Sequence, residues 1–167
     1  LCCTPTEYRM MAKLSNLNDY HLELLHSAVS AGEPLNREVV EQFKNNFNLT
    51  VRDGYGQTES TLLIGFLKDT EPRPGSMGKG IPGSFVTIID DDGNEVPPQT
   101  KGNIAVPLDL PALFKGYYKD EERTKAAAAG YYYVTGDLAH KDEDGYFWFE
   151  GRRDDIIISS GYTIGPF

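Results

Sequence analysis

A helical stretch between two short apolar stretches, all within the first third of the chain, constrains the fold more than any other feature. Residues 36–47 carry apolar side chains at helical spacing, on one face: Val39, Val40, Phe43 and Phe47. Asn36 stands where it can cap the start of this helix. We expect one strand to end near Ser30 and another to cover residues 50–52. A strand, helix, strand order predicts parallel pairing through a right-handed crossover.

The pattern changes after Gly75 to short β segments separated by turn residues. Residues 85–89 and 102–106 predict the two strands of one hairpin, and residues 131–139 and 146–149 predict those of a second. Many short strands with turns between them are typical of a barrel or a sandwich. We therefore expect a small β-barrel-like lobe in the second half of the chain.

Together these patterns predict an α/β protein in three parts. Residues 1–74 form a parallel α/β portion, residues 75–151 form the β-rich lobe, and residues 152–167 begin a further unit. Within the lobe, residues 119–129 predict a helix that Gly130 ends. The chain begins without Met and stops inside a pattern that should lead into another element, so we interpret it as an internal piece of a longer protein.

The charge balance and the cysteines argue against several classes of protein. The formal net charge is -9, and no cluster of Lys and Arg appears, so we expect no nucleic-acid partner. Cys2 and Cys3 are adjacent and are the two cysteines of the chain, too few for a disulfide framework or a zinc site. This favours a reducing, cytoplasmic setting. The apolar runs fall far short of the ~20 residues that cross a bilayer, so we expect no membrane span.

The densest chemical signal is a run of residues that follows the second predicted strand: Asp53, Gly54, Tyr55, Gly56, Gln57, Thr58 and Glu59. Its glycines allow close backbone approach, Tyr55 offers a flat stacking face, and Thr58 and Glu59 offer a hydroxyl and a hard carboxylate. These are the parts of a site for a nucleotide, its phosphates and a metal ion. The alternative interpretation is a Gly-rich turn between a strand and a helix, with an incidental Glu.

The segment Tyr-Gly-Gln-Thr-Glu within this run resembles the signature of the acyl-adenylate-forming superfamily, which includes acyl-CoA synthetases, luciferases and peptide-synthetase adenylation domains. Three further stretches appear in that family's order. The resemblance implies that residues 53–58 bind the nucleotide, ATP or AMP. It also implies that Thr58 and Glu59 serve the chemistry, with Glu59 as the Mg²⁺ ligand.

Two stretches on either side of this signature add to the implied nucleotide site. Residues 30–35 resemble the segment beside the adenine ring, although this stretch could simply introduce the following helix. Three residues of it are assigned to the nucleotide: Gly32, Glu33 and Pro34. Residues 133–137 resemble the Thr-Gly-Asp stretch whose carboxylate, here Asp137, accepts hydrogen bonds from the ribose hydroxyls. A carboxylate suits this role because it only accepts and can take both hydroxyls, although Gly-Asp alone is usually a turn.

Residues 151–155 resemble the junction between the large N-terminal and the small C-terminal domain of the family. There the first Arg contacts the ribose, which implies this role for Arg152. The residue two positions later, Asp154, corresponds to the hinge, a short segment that absorbs a large backbone rotation between the two half-reactions. The alternative interpretation is a solvated charge cluster.

The last stretch, residues 159–166, resembles the loop that enters the active site for thioester formation. Three of its residues match positions on the coenzyme A side: Ser160, Gly161 and Tyr162. The chain departs from the family at two positions. Ile158 stands where relatives commonly have Asn, and Thr163 stands where Arg or Lys is usual. Thr163 cannot supply the positive charge that a phosphate or carboxylate meets there.

The resemblance covers nearly the whole chain and implies a parent protein that is an ATP-dependent acyl-CoA synthetase, most like those for acetyl and medium-chain acids. A carboxylate attacks the α-phosphate of ATP to give acyl-AMP and pyrophosphate, and coenzyme A then displaces AMP. Mg²⁺ offsets the developing charge. Fatty acid metabolism is the implied setting. A phosphate loop and a C-terminal Lys that the family needs are absent, so we expect the isolated chain to be inactive without the remainder of the protein.

Two other functions stay open. An adenylation domain that loads a carrier-protein thiol would share the nucleotide motifs, because the choice of acceptor depends largely on a C-terminal domain. A nucleotide-binding module without chemistry is the alternative of a different class, and Ile158 and Thr163 favour it slightly.

Overall fold

A computed structural model describes residues 1–153 and the backbone of two short strands beyond them. The strands, in chain order, are β1 (Cys2–Cys3), β2 (Ala28–Ala31), β3 (Val51–Gln57), β4 (Thr61–Gly65), β5 (Gly78–Gly80), β6 (Thr87–Ile89), β7 (Gly102–Pro107), β8 (Ala128–Ala129), β9 (Tyr132–Lys141), β10 (Tyr146–Arg152), β11 (Ile157–Ser159) and β12 (Tyr162–Ile164). The helices are α1 (Pro5–Ala12), α2 (Arg37–Phe47) and α3 (Glu121–Ala126), with a 3-10 turn at Leu17–Asp19. One sheet runs in the order β1-β2-β3-β4-β5-β10-β9-β7-β6, with β8 beside β9.

Residues 1–57 form the parallel part of this sheet. β2 pairs in parallel with both β1 and β3, and α2 connects β2 to β3, so the predicted strand, helix, strand unit with parallel pairing is present. The core of this part is made of buried side chains from α1, α2 and the strands: Tyr8, Ala28, Leu35, Val39, Val40, Phe43, Leu49 and Val51. Burial of a large apolar side chain stabilises a fold by about 1.5–3 kcal/mol, so this core anchors β3 firmly.

The two long helices begin in different ways. A capping box starts α1, in which the Thr4 hydroxyl accepts from the Glu7 backbone N–H and the Glu7 carboxylate accepts from the Thr4 N–H at 2.7 Å. Asn36 occupies the N-cap position of α2, but its side chain makes no capping hydrogen bond there, so that part of the prediction is wrong. Its Oδ1 instead accepts from Arg9 Nη1 at 3.3 Å. Asn36 therefore ties α2 to α1.

The second half of the chain is antiparallel. β6 pairs with β7, and β9 pairs with β10, which are the two predicted hairpins. β6 begins only at Thr87, because Phe85 has a φ of 49° and lies outside the β region. α3 is shorter than the predicted helix at residues 119–129, because Ala128 and Ala129 leave the helix and pair with β9 as β8.

The α/β class predicted from the sequence is confirmed, but the β-rich half does not form a closed barrel of its own. It continues the parallel strands in one open sheet. β3 and β9 are four places apart in the strand order of this sheet. In a flat sheet they would lie about 19 Å apart, which is further than two side chains can reach. Yet the Tyr55 hydroxyl on β3 lies 2.6 Å from Asp137 Oδ2 on β9. The sheet therefore curls strongly, so that β3 and β9 face each other.

A second core links the strands of this curled half. Its buried members are Leu63, Ile64, Met77, Ile88, Ile104, Val106, Leu110, Leu113, Tyr133, Ala139 and Phe147. Tyr55 and Phe149 pack against it while remaining partly exposed. Among the helices of the described residues, none has both the length and the apolar character that crossing a membrane requires.

Candidate functional site

A cleft of about 540 Å³ opens where β3 faces β9. Its walls come from the turn after β2, from β3 and the turn that follows it, from the segment before β5, and from β9 and β10. Four residues from two distant parts of the chain all line it: Tyr55, Glu59, Asp137 and Arg152. The fold thus brings into one cleft the side chains that the sequence analysis assigns to a nucleotide.

Asp137 lies at the centre of a hydrogen-bond network. Its Oδ2 accepts from the Tyr55 hydroxyl at 2.6 Å and from Gln57 Nε2 at 2.8 Å. Gln57 Nε2 also donates to the Thr135 carbonyl, and Gln57 Oε1 accepts from the Tyr133 hydroxyl at 3.1 Å. Burial raises the pKa of both tyrosine hydroxyls, and the charge of Asp137 adds to the shift. Both phenols therefore stay protonated and act as donors.

Arg152 stands directly opposite Asp137 in the β9–β10 pair. Its Nε lies 3.5 Å from Asp137 Oδ1. The Asp137 residue is only 6% exposed, whereas more than half of the Arg152 side chain is exposed. The Thr135 hydroxyl donates to the Ile104 carbonyl and accepts from the Asp137 N–H at 3.2 Å, which fixes the chain just before Asp137. A held carboxylate with spare acceptor positions can take the two hydroxyls of a ribose.

Glu59 belongs to a second cluster on the cleft wall. Its Oε1 accepts from the Tyr117 hydroxyl at 2.9 Å, and its backbone carbonyl accepts from the Phe114 N–H at 2.7 Å. The Phe114 ring packs edge-on against Tyr117 and Tyr133, with centroids 4.9 and 5.5 Å away. Burial raises the pKa of Tyr117, and its hydrogen bond to Glu59 adds to the shift, so Tyr117 remains a donor. The Glu59 carboxylate keeps acceptor positions for a cation.

The signature run lies in a strand and a hairpin, not in a turn between a strand and a helix. β3 extends through Gln57, and the chain then turns into the antiparallel β4. A Cβ at Gly56 would lie 1.9 Å from the Thr61 carbonyl oxygen, so this close approach requires glycine. Thr58, in the turn, is exposed and lines the cleft. The glycines of the run therefore serve the hairpin as well as access to the cleft.

Asp53 and Gly54 line the cleft from β3. The Asp53 Oδ1 accepts from the Gly54 N–H at 2.9 Å. Burial raises the pKa of Asp53 to about 7, although hydrogen bonds from the backbone of Gly54 and Leu35 act in the opposite direction. This carboxyl group therefore changes charge near neutral pH, on the wall of the cleft.

The turn after β2 contributes three lining residues: Gly32, Glu33 and Pro34. Gly32 has a φ of 102°, a conformation that favours glycine. The Glu33 carboxylate accepts from the Thr6 hydroxyl at 2.8 Å and pairs with Arg9 Nη2 at 2.8 Å. The Thr6 hydrogen bond, followed by that from Arg9, holds the pKa of Glu33 below its usual range. The carboxylate is thus engaged with α1, while the turn lines the cleft.

Several predicted residues of the C-terminal stretch are not placed by the structure. Asp154, Ser160 and Gly161 lie outside the described residues. Tyr162 belongs to β12, for which the backbone alone is described. Ile158 and Thr163 stand opposite each other in the β11–β12 pair. The roles assigned to these residues stay predictions.

The cleft also has lining residues that the sequence analysis gives no role: Gly75, Met77, Tyr117, Arg123, Tyr133 and Phe149. Tyr133, Thr135 and Asp137 alternate along β9 and share one face, so a spacing of two could have identified Tyr133. Tyr117 and Arg123 have no such signal. They reach the cleft through the irregular segment between β7 and β8.

Known proteins resemble this chain over nearly its whole length. A family model described as AMP-binding enzyme matches residues 1–118. The uncharacterized acyl–CoA ligase YtcI of Bacillus subtilis (strain 168) is 65% identical over 99% of this chain, which covers 31% of that protein. The mitochondrial acyl-coenzyme A synthetase ACSM3 of Rattus norvegicus is 46% identical over 99% of this chain and 29% of its own length. The chain thus spans about a third of the length of these relatives.

Two solved structures share the fold. The anthranilate CoA ligase AuaEII in complex with anthranoyl-AMP matches with a TM-score of 0.88 and 30% identity, over 99% of this chain and 32% of that one. ATP-bound MatB from Rhodopseudomonas palustris matches with a TM-score of 0.91 and 28% identity, over 99% of this chain and 33% of that one. The family model covers well over half of the sequence. This chain belongs to the family of AMP-binding enzymes.

Proposed function

We propose that this chain carries part of the nucleotide site of an AMP-forming acyl-CoA synthetase, which converts a carboxylic acid, ATP and coenzyme A into acyl-CoA, AMP and pyrophosphate. The observation that carries the proposal is the single cleft shared by Tyr55, Glu59, Asp137 and Arg152. The names of the similar proteins support it, since YtcI is called an acyl–CoA ligase and ACSM3 an acyl-coenzyme A synthetase.

The nucleoside would bind between the β2 turn and β9. Tyr55 offers its ring face to the adenine, for about 1–3 kcal/mol by analogy with base stacking. The backbone after Gly32 runs beside the base. Asp137 accepts from the ribose hydroxyls with the acceptor positions that Tyr55 and Gln57 leave free, and Arg152 balances its charge.

The reaction proceeds in two steps on this nucleotide. A carboxylate oxygen of the acid attacks the α-phosphorus of ATP, and the bond to the bridging oxygen breaks as pyrophosphate leaves with the electron pair. The sulfur of coenzyme A then attacks the acyl carbonyl carbon and gives up its proton to water. The bond between that carbon and the AMP oxygen breaks, and AMP leaves with the electron pair. Thr58, which is exposed and lines the cleft, would donate its hydroxyl to a phosphate oxygen in the first step.

Glu59 is the residue that would hold a magnesium ion. Within residues 1–153 no three His, Cys, Asp or Glu side chains gather into a cage. A magnesium ion bound to a nucleotide does not need such a cage, because this ion is commonly held by one or two carboxylates together with substrate phosphates and water. When bound, the ion would offset the negative charge of the phosphates. Glu59, oriented by its hydrogen bond from Tyr117, supplies the protein carboxylate.

The acid would lie beyond Gly54, where an apolar side chain is available. Of the apolar residues on β4, Leu63 and Ile64 are buried in the core, whereas Leu62 is 50% exposed. A methyl group at Gly54 would lie 3.0 Å from Leu62 Cδ1, so the two positions are in contact range. We infer that Leu62 contributes to the wall of the acyl pocket and that Leu63 and Ile64 do not.

The C-terminal roles belong to the same proposal. Arg152 and Asp154 would form the junction at which the C-terminal domain rotates between the two steps. Ser160, Gly161 and Tyr162 would then line the path of coenzyme A. A cytoplasmic location and a role in fatty acid metabolism complete the proposal. The two free cysteines support the former, and fractionation of cells would test it against a mitochondrial location.

The test uses the intact protein that carries this chain. We expect it to exchange pyrophosphate into ATP in the presence of a carboxylic acid and magnesium, and to form acyl-CoA. Asp137→Ala should abolish most of this exchange, because the ribose loses its acceptor. The isolated 167-residue chain should show no turnover. An intact protein that forms no acyl-AMP from any acid across a range of chain lengths would refute the proposal.

The choice of thiol acceptor needs a separate measurement. Free coenzyme A and a phosphopantetheine-bearing carrier protein are compared as acceptors at equal thiol concentration. Faster product formation with free coenzyme A is the expected result. Faster loading of the carrier protein would instead identify an adenylation domain, and tight ATP binding without pyrophosphate exchange would identify a binding module.

A further inference from the structure

We propose that Arg123 binds the β- and γ-phosphates of ATP in this cleft, and so distinguishes ATP from AMP. The inference rests on the proposed function, because it takes the cleft to be a nucleotide site. It adds a residue that neither the signature run nor the Thr-Gly-Asp stretch contains. Arg123 lies on α3, a short helix whose remaining side chains do not line the cleft.

Arg123 is held on the part of the wall that carries Glu59. The Arg123 guanidinium carbon lies 3.8 Å from the centroid of the Tyr117 ring. The hydroxyl of the same ring donates to Glu59 Oε1 at 2.9 Å. The two functional groups therefore flank one tyrosine, a cation on its face and a carboxylate at its edge. A cation stacked on an aromatic ring loses little freedom when it binds an anion.

The backbone fixes this arrangement. The Tyr117 N–H donates to the Thr124 hydroxyl at 2.9 Å, and that hydroxyl donates to the Asp120 carbonyl at 2.8 Å. The Asp120 side chain in turn accepts from the Arg123 N–H at 3.0 Å, which caps α3. Tyr117 and the backbone of Arg123 thus belong to one braced segment, which keeps the Arg123 side chain within reach of the Tyr117 ring.

The charges of the cleft show which cation is available to a polyphosphate. Arg123 and Arg152 are the two basic residues that line the cleft in the described part of the chain. Arg152 is paired with Asp137 at 3.5 Å. Arg123 has no carboxylate within ion-pair distance among residues 1–153. An unpaired guanidinium beside a carboxylate that suits magnesium matches the charge of the terminal phosphates.

The site of Arg123 also indicates which phosphates it meets. Asp137 and Arg152 take the ribose, so the α-phosphate lies between them and Glu59. Phosphates beyond the α-phosphate then extend towards the Glu59 and Tyr117 side of the cleft. AMP has no group that reaches this side, whereas ATP and pyrophosphate do.

The test compares Arg123→Gln with Lys125→Gln in the intact protein. Both changes remove one positive charge from α3, but Lys125 does not line the cleft. Its Nζ lies 3.8 Å from Glu121 Oε2. Affinities for ATP, AMP and inorganic pyrophosphate are measured by titration calorimetry with magnesium present. We expect Arg123→Gln to weaken ATP and pyrophosphate about tenfold, and AMP by less than about twofold. Lys125→Gln should change none of the three beyond the general effect of one charge.

Two further measurements make the outcome specific. Arg123→Lys keeps the charge and should recover part of the ATP affinity, while thermal unfolding verifies that each variant is folded. Equal ATP affinities in Arg123→Gln and Lys125→Gln would overturn the assignment. So would an Arg123→Gln variant that loses the same affinity for ATP as for AMP, because this would indicate a general effect on the cleft wall through Tyr117. A wild-type protein that binds neither nucleotide would instead refute the proposed function itself.

Discussion

Asp137 shows how a single residue in this cleft is prepared for a ligand. Its Oδ2 accepts two hydrogen bonds, from Tyr55 and Gln57, and its Oδ1 faces Arg152. These partners hold the carboxylate in place without using all of its acceptor positions. Burial of Asp137 strengthens its hydrogen bonds with Tyr55 and Gln57, because the surroundings are less polarisable than water. The residue is therefore oriented before any ribose arrives.

Asp53 offers a test of the cleft at the same scale. Its pKa is raised from 3.8 to about 7 by burial, so between about pH 4 and pH 7 the folded state holds a proton that the unfolded state has released. The free energy of unfolding therefore decreases as the pH rises through this window. The Asn side chain of Asp53→Asn does not titrate, so this variant escapes the loss. The melting temperature of the variant minus that of wild type should therefore increase by a few degrees from pH 5 to pH 8.

The control for this pH effect is Asp92→Asn, in the exposed turn before β7. It removes the same charge from a solvated position and should give nearly the same difference from wild type at both pH values. A difference for Asp53→Asn that does not change with pH would contradict the assigned burial of Asp53.

The residues that line the cleft were predictable only where a local sequence signature marks them. Glu59 and Asp137 lie in short signatures, and the structure brings both to one cleft. Tyr117 and Arg123 were not predictable, because their position depends on how an irregular segment folds against β4 and β9. The side chain of Asn36 was misjudged for a similar reason, since the capping bond it could make competes with a contact to Arg9 on another helix.

At the scale of elements, ion pairs and a cation–π contact connect the hairpin of β9 and β10 to the segment before β5. Arg73 pairs with Asp142 at 3.1 Å and with Asp144 at 2.6 Å, and its guanidinium carbon lies 4.1 Å from the centroid of the Tyr146 ring. Asp142 also accepts from the Trp148 indole at 3.0 Å. The same segment supplies two lining residues of the cleft, Gly75 and Met77. These contacts of Arg73 therefore stabilise one wall of the cleft.

Removing the inner carboxylate should loosen that wall. Asp142→Ala leaves Arg73 Nη1, the Trp148 indole and the Tyr146 N–H without their acceptor, so we expect the free energy of unfolding to fall by about 2 kcal/mol. Asp144→Ala is the matched control, because its side chain is 64% exposed and its ion pair is worth less than about 1 kcal/mol. Denaturant unfolding measures both. Equal losses in the two variants would contradict the proposed role of Asp142.

The elements themselves were largely predictable. Alternating apolar residues and turn residues predict the two hairpins, and helical spacing predicts α2. Their ends were less predictable, because they depend on partners elsewhere in the chain. Ala128 and Ala129 have a high helix propensity but pair with β9 instead, and Phe85 leaves β6 through a positive φ.

At the scale of the whole molecule, the curl of the sheet creates the cleft. The sequence indicates which strands are neighbours within a hairpin, but curvature follows from twist, bulges and packing summed over many strands. Register shifts occur in the β3–β4, β9–β10 and β7–β9 pairs, all of which border the cleft or its core. A barrel-like lobe was a reasonable expectation for this pattern, and the strongly curled open sheet is its actual form.

A crystal structure of the intact protein with bound AMP tests the shared nucleotide site most directly. We expect the adenine against the Tyr55 ring, the ribose hydroxyls within hydrogen-bond distance of the Asp137 carboxylate, and the phosphate between Asp137 and Glu59. AMP bound away from this cleft, with the Asp137 carboxylate still contacting only Tyr55, Gln57 and Arg152, would contradict the assignment.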